Sequence, residues 1–256
     1  MGASLASVRW AFGGLLDALG FLTILPLPRS VTRRESFDLA AAVTWFPMVG
    51  ALIGGFAGGL RVAFEPLLGH APSTVIAMIG LVVITGALHQ DALADTVDGL
   101  GVHGSVERRL EVMRDPRVGA FGALALIAWA LLLFTALNQL GPEHALLALI
   151  AAAVAGRLAG PLHGLIARSA RREGLGARLH VGVRAALAAT LVATVILVAL
   201  LGAYRGGVTS GIAVLIGAST ALLARRMLAG STGDTIGTAI ALTEICVCLA
   251  LVALWR

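Results

Sequence analysis

Lysine is absent from this 256-residue chain, and charge of any kind is scarce. Charged residues make up 13% of it, against about 25% in soluble domains. Hydrophobic residues make up 58%, and the mean hydropathy is +0.93. Too little polar side chain remains to clothe a soluble globule of this length, which leaves an integral membrane protein. Cysteine is limited to Cys246 and Cys248. On a helix these point about 160° apart, so a mutual bridge is not expected. With no CxxC and no zinc spacing, both read as core or lipid-facing residues. There is no GxSxG elbow, no nucleophile dyad and no P-loop, so nothing points to a covalent route. No cleavable signal is expected either, because Asp17 interrupts the first apolar stretch and no A-x-A site follows. Internal repeats, low-complexity tracts and a second soluble domain are also missing. The expectation is one all-α domain over residues 1–256.

What is present is apolar sequence in lengths suited to a bilayer. Candidate spans are Leu39–Leu60, Ala71–Leu88, Val118–Pro142, Ala145–Ile166, Ala185–Tyr204, Gly206–Ala224 and Thr235–Trp255. Each is near the roughly 20 residues needed to cross the hydrocarbon core. An eighth stretch, Trp10–Leu25, is short, carries Asp17 and runs into Pro26 and Pro28. It reads as an interfacial or re-entrant helix. The fold class is therefore a polytopic all-α membrane protein with about seven transmembrane helices.

All nineteen basic residues are arginine. They alternate between loops. Arg29, Arg33 and Arg34 precede the first firm span, and Arg108, Arg109, Arg114 and Arg117 lie between the second and third. Arg168, Arg171, Arg172, Arg178 and Arg184 lie between the fourth and fifth, and Arg225 and Arg226 between the sixth and seventh. The intervening loops hold only Arg61 and Arg205. The arginine-rich side is expected to be cytoplasmic. Nucleic acid is not an expected partner, since the charge sits in short loops between apolar spans; the lipid bilayer is.

Acidic residues concentrate on the same side. Asp91, Asp95, Asp98, Glu107, Glu111 and Asp115 fall between Leu88 and Gly122. Asp91, Asp95 and Asp98, at i, i+4 and i+7, lie within about 60° of one another on a helix. Like charges so placed repel. A hard divalent cation, Mg²⁺ with a substrate phosphate, would relieve that repulsion. The plain alternative is a solvated helix end. His89, about 160° from Asp91, reads as an ordinary helix-end histidine.

Other residues fit phosphoryl chemistry. Arg108, Arg109, Arg114 and Arg117 serve as topogenic charges, or grip a pyrophosphate. Ser105 is expected to cap a short helix ending at Asp115, and the Arg114–Arg117 turn puts Asp115 at the mouth of the next span. Arg157 lies inside a span and needs a phosphate or a carboxylate. Gly230–Asp234 opens the last span, where free N–H groups at Thr232 and Gly233 can hold an anion. Capping alone would explain Ser231, Thr232 and Asp234, but not Glu244 ten residues further on. The simplest chemistry is in-line displacement at phosphorus.

At these residues the chain resembles a known family, the adenosylcobinamide-GDP ribazoletransferases or cobalamin synthases. FLTILP (Phe21–Pro26) looks like the N-terminal signature, TGALHQDALADTVDGLG (Thr85–Gly101) like the central acidic motif, and RRLEVMRDPRVGAFG (Arg108–Gly122) like the segment after it. Arg157, Arg168 with Glu173–Gly176, and Thr232–Asp234 with Glu244 complete the pattern. Gln90 and Ala92 depart from an expected apolar residue and glycine, and Pro116 from a common serine. The resemblance implies that adenosylcobinamide-GDP is joined to α-ribazole or its 5′-phosphate with release of GMP. It also implies Mg²⁺ dependence and work in the bacterial inner membrane, where the arginine pattern puts the acidic residues on the cytoplasmic side. It leaves open a homo-oligomer or association with other cobalamin-assembly enzymes. The expected catalytic residues are Asp91, Asp95, Asp98 and Asp115. Substrate contacts fall to Arg109, Arg114, Arg117, Arg157, Thr232 and Gly233, and metal ligation to Asp91, Asp95, Asp98, Asp234 and Glu244.

Two rival readings remain. CDP-alcohol phosphotransferases carry D-x-x-D-G-x-x-A-R; Asp95, Asp98 and Gly99 match its start, but Val102 and His103 stand where Ala-Arg should, and the final D-x-x-x-D is absent. An ion-coupled transporter would use Asp17, Arg157 and Glu244 as midplane charges, whereas most acidic residues here gather at one face.

Overall fold

The computed structural model describes residues 13–27, 39–170 and 181–256. Arg29, Arg33, Arg34, Arg171, Arg172, Glu173–Gly176 and Arg178 lie outside the described residues. The described chain runs through α1 (Gly13–Leu22), α2 (Leu39–Leu68), α3 (His70–Ile84), α4 (Leu88–Gly101) and α5 (Val106–Val112). It continues through α6 (Ala120–Asn138), α7 (Pro142–Ile166), α8 (Val183–Leu201), α9 (Ala203–Leu228) and α10 (Gly233–Leu254). Among the described residues, strand-like pairing is confined to one parallel bridge between Ser169 and Ser231. Among the described residues, six helices are long and apolar enough to cross a membrane, or up to seven if the bent pair α3–α4 is one span. The expected polytopic all-α architecture is the one observed.

The organising element is α7, the most buried of the spans. It packs against α2, α10, α9 and α8. Its inward surface is rich in Ala and Gly, with Ala145, Ala148, Ala151, Ala155 and Ala159 fully buried. Lipid tails are as apolar as leucine, so association within a bilayer depends on close backbone approach rather than on hydrophobicity. The α2 face meets this requirement with Gly50, Gly54 and Gly58. A Cβ at Gly50 would lie 2.6 Å from the Ala153 carbonyl oxygen, and one at Gly54 would lie 2.8 Å from the Ile150 nitrogen. Gly55 and Gly59, on the opposite face, have nothing within 4 Å of such a Cβ.

One expected span is broken. The apolar run Ala71–Leu88 reads as continuous, but α3 stops at Ile84 and α4 leaves at 84° to it. Backbone hydrogen bonds end α3: Gly86 N–H donates to Val83 O at 3.0 Å and Ala87 N–H to Val82 O at 2.8 Å. This is the pairing of a Schellman cap, with Gly86 at φ 60° and Ala87 at φ 59° in the left-handed region. The Ile24 N–H donates to a further end carbonyl, that of Ile84, at 2.9 Å. So the FLTILP segment covers the break. Its helix, α1, packs Ala18 and Leu22 into the core. Its described length of about 15 Å is half a hydrocarbon core.

The two ends of the bundle differ. One gathers the α4 N-terminus, α5, the α9 C-terminus and the Gly230–Asp234 loop. The other holds a fully buried Arg61, bonded to Glu65, to Ser73 Oγ at 2.7 Å and to His70 Nδ1 at 2.9 Å.

The two glycine faces of α2 predict opposite outcomes. Gly54→Ala should lower the melting temperature of the detergent-purified protein by several degrees. Gly55→Ala should leave it unchanged or raise it, since alanine favours helix by up to about 1 kcal/mol. Equal effects would show that α2 and α7 do not pack through this stripe.

Candidate active site

The break after Ile84 sets α4 running across the arginine-rich end, beside α10. The two helices touch closely: Thr238 Oγ1 donates to the Ala92 carbonyl at 2.9 Å, and a Cβ on Gly237 would lie 2.5 Å from the Ala92 methyl. Gly237 therefore makes room for Ala92, which stands where a glycine was expected. Between the starts of α4 and α10 lies a cavity of about 230 Å³. Its polar side chains are His89, Asp91 and Asp234; Phe21, Leu22, Val43, Phe46, Pro161, Val181, Ile236 and Ile240 form the apolar wall. The Phe21 and Phe46 rings stack at 5.7 Å between centroids and 9° between planes.

Asp91 and Asp234 thus face one cavity. Asp91 is exposed, and no hydrogen bond or ion pair reaches its carboxylate from the described residues. Asp234 is restrained, because the Thr232 hydroxyl donates to its Oδ2 at 3.3 Å. Gly233 also lines the cavity at the first position of α10. Thr232 does not line it. Thr232 is the N-cap, its hydroxyl accepting from Thr235 N–H at 3.2 Å while Thr235 Oγ1 accepts from Thr232 N–H at 2.9 Å. The loop before it is pinned to the end of α7: Ser231 N–H donates to Arg168 O and Ala170 N–H to Ser231 O, both at 2.8 Å. Behind it His163 bridges Thr220 of α9 and Thr235 of α10, each at 3.0 Å.

The expected five-carboxylate metal set is not assembled. Among the described residues no three His, Cys, Asp or Glu side chains form a group that could hold a metal ion. Asp98 is buried, and its carboxylate accepts the N–H of Gly119 at 2.7 Å and that of Gly122 at 2.8 Å. It caps α6 from a neighbouring helix, where Gly119, the α6 N-cap residue, has no side chain to do so. A Cβ on Gly119 or Gly122 would collide with that carboxylate. Asp95, half-buried one turn beyond Asp91, is not part of the cavity wall.

Glu244 differs from expectation as well. It is 2% exposed and forms an ion pair with Arg157, which is 0% exposed, inside the core. Each neutralises the other, so neither the metal role for Glu244 nor the phosphate role for Arg157 matches this arrangement. Arg157 has instead the carboxylate partner that was its other expectation. On its far side Arg157 Nη2 lies 3.4 Å from His89 Nδ1. His89 is 2% exposed, and its Nε2 has no partner among the described residues. A helical wheel sets His89 and Asp91 on opposite faces, yet both line the cavity, because the cavity wraps the first turn of α4.

The loop residues are spread over the surface. The helix capped by Ser105 is observed, with Arg108 N–H donating to Ser105 Oγ, but it ends at Val112 rather than Asp115. Asp115 and Arg117 satisfy one another: Arg117 Nε and Nη2 donate to the carboxylate at 2.9 and 2.7 Å, and the Arg117 N–H at 3.0 Å. These bonds hold the Asp115 carboxyl down at about 2. Arg109 reaches Met227 Sδ at 3.5 Å, and Arg114 is exposed. None of these four lines the cavity.

A helical membrane protein with a largely apolar cavity that carries two carboxylates at one end of its bundle is the class defined by this arrangement. The family model described as cobalamin-5-phosphate synthase matches residues 14–252. The adenosylcobinamide-GDP ribazoletransferases of Escherichia coli strain K12 and of Escherichia coli O157:H7 are each 35% identical over 241 residues, which covers 91% of this chain and 96% of theirs. No solved structure matches. The chain belongs to the cobalamin-5-phosphate synthase family, and it is a membrane transferase of cobalamin biosynthesis. The resemblance carried by the Thr85–Gly101 and Arg108–Gly122 motifs is thereby borne out.

Asp98 should behave as a structural cap. Asp98→Asn places an amide NH₂ against one of two backbone N–H donors, and an unmet buried donor costs about 1–3 kcal/mol. Thermal unfolding should show a clear loss of stability in Asp98→Asn. An unchanged melting temperature would free Asp98 for a chemical role.

Proposed function

We propose that this chain joins adenosylcobinamide-GDP to α-ribazole, or its 5′-phosphate, and releases GMP at the cavity between α4 and α10. The observation that carries this reading is the shared cavity wall of Asp91 and Asp234, inside a chain whose relatives are named for that transfer. The apolar wall with Phe46 suits the flat benzimidazole of the ribazole. The N-terminus of α10, with Gly233 in the wall, favours an anion beside it.

Two carboxylates facing an anionic substrate would repel it unless a cation lay between them. All-oxygen donors fit a hard divalent ion, and Mg²⁺ is commonly held by one or two carboxylates with substrate phosphate and water filling the remaining positions. Asp234, restrained by Thr232, and Asp91 would hold it. Once bound, Mg²⁺ supplies charge neutralisation at the reacting phosphate. The ribazole hydroxyl oxygen attacks the phosphorus that carries the cobinamide, and the bond to GMP breaks with its electron pair leaving on GMP. Asp91, which has no partner among the described residues, takes the hydroxyl proton on its carboxylate. The apolar wall around it limits water as a competing nucleophile.

Orientation belongs to the same proposal. The cavity end carries the arginine-rich loops, so it faces the cytoplasm of a bacterial cell.

Purified protein with Mg²⁺, adenosylcobinamide-GDP and α-ribazole should produce GMP and the cobalamin in equal amounts. Asp91→Asn should lower kcat at least about 10²-fold with the melting temperature preserved. Asp234→Asn should raise the Mg²⁺ concentration giving half-maximal rate. Near-normal turnover and Mg²⁺ dependence in both variants would remove the reaction from this cavity.

Single cysteines at Ser105 or Ala170, with Cys246 and Cys248 replaced, should react with an impermeant thiol reagent only from the cytoplasmic side. Labelling from outside intact cells would invert the topology.

A further inference from the structure

His89 is placed unlike any other polar group around the cavity. It lines the wall with Asp91 and Asp234 and is 2% exposed. Its Nδ1 faces Arg157 Nη2 at 3.4 Å. A guanidinium has only donors, so the facing ring nitrogen must accept and carries no proton. The ring proton therefore resides on Nε2. That N–H is buried and has no acceptor among the described residues. An unmet buried donor is expensive to maintain, and such groups call for a specific partner. Among the described residues, the other polar side chains of the cavity are carboxylates, and no other side chain in its wall offers an N–H.

The geometry points to His89 as a fixed hydrogen-bond donor to a phosphoryl oxygen of the substrate, with its tautomer set by the Glu244–Arg157 pair. Ground-state binding and transition state differ at this oxygen, because negative charge shifts among the phosphoryl oxygens during displacement. With its other lone pair committed to Arg157, the imidazole cannot also serve as the base. The proton acceptor for the attacking hydroxyl is then a carboxylate, and His89 works on the phosphate. Glu244 and Arg157 are positioning residues in this scheme: they touch no substrate, and they turn the ring so that Nε2–H is the donor. This assignment rests on the transfer proposed above.

Two substitutions separate the functions of the ring. Glutamine can present an amide N–H near the position of Nε2, while asparagine can present a carbonyl near Nδ1 for Arg157. If His89 donates to phosphate, His89→Gln should keep kcat within about 10-fold of the native chain, and His89→Asn should lower it about 10²-fold. KM for α-ribazole should change little in either. Inhibition by added GMP, which carries a phosphate, should weaken in His89→Asn and persist in His89→Gln. If His89 serves only to satisfy Arg157, the order reverses: asparagine is tolerated, and glutamine lowers the melting temperature. That reversed order, or equal turnover in both variants, overturns the inference while leaving the reaction standing. A native chain that yields no GMP from the two substrates overturns the reaction itself, and with it the phosphate assigned to His89.

Discussion

A charge buried between membrane helices persists only beside its opposite, and the Arg157–Glu244 pair is where this fold meets that demand. Neither side chain reaches solvent, and removing either would strand the other in a medium that solvates charge poorly. The pair therefore constrains how α7 and α10 lie against each other along their lengths. Because Glu244 is fixed against α7, α10 must begin near the point where α7 ends. There Ser231 bridges to Ser169, and Thr232 starts α10. Asp234 and Gly233 enter the cavity as a consequence. The same arginine turns towards His89, so one side chain in the core ties both helices that build the polar wall.

The α4 helix is placed by different means. It owes its direction to the cap at Gly86 and Ala87, and its depth to Gly237, which admits Ala92. Its far end is held by Asp98, whose carboxylate closes the α6 N-terminus. One acidic helix thus serves two purposes along its length: Asp91 at its beginning faces open space, and Asp98 near its end is consumed by structure. Two turns separate the carboxylates, and their surroundings differ completely.

Much of the architecture was legible because hydropathy reports spans directly. The six long spans are recognisable in the run of apolar residues, with ends that shift by about one turn at Leu228 and about two turns at Leu68. The break at Thr85–Ala87 was not legible, since a lone glycine inside an apolar run reads equally well as a packing residue. In the site, periodicity correctly put Asp91, Asp95 and Asp98 on one helix. It could not reveal that the Gly119 and Gly122 amides would claim Asp98, because that depends on which helix end lies opposite. Arg157 and Glu244 each stood out as charges within apolar runs, 87 residues apart; their meeting is a tertiary fact. The helical angle between His89 and Asp91 argues against a shared site, but that angle has little force where a cavity wraps a first turn. The signal that could have raised it was its position next to Asp91 in a segment already rich in polar groups.

The knot at the opposite end bears on how the chain enters the bilayer. Arg61 belongs to the face that should carry few arginines, and an unpaired guanidinium there would resist transfer across the membrane potential. Glu65, one helical turn away, cancels its charge on the same helix, and Ser73 and His70 supply acceptors from the helix that follows. With about 22 Å of length, α3 falls short of the hydrocarbon thickness and is a weak insertion signal alone. Coupled to α2 through Arg61, it can enter as the second arm of an electrically neutral hairpin, with the translocation of both arms decided together.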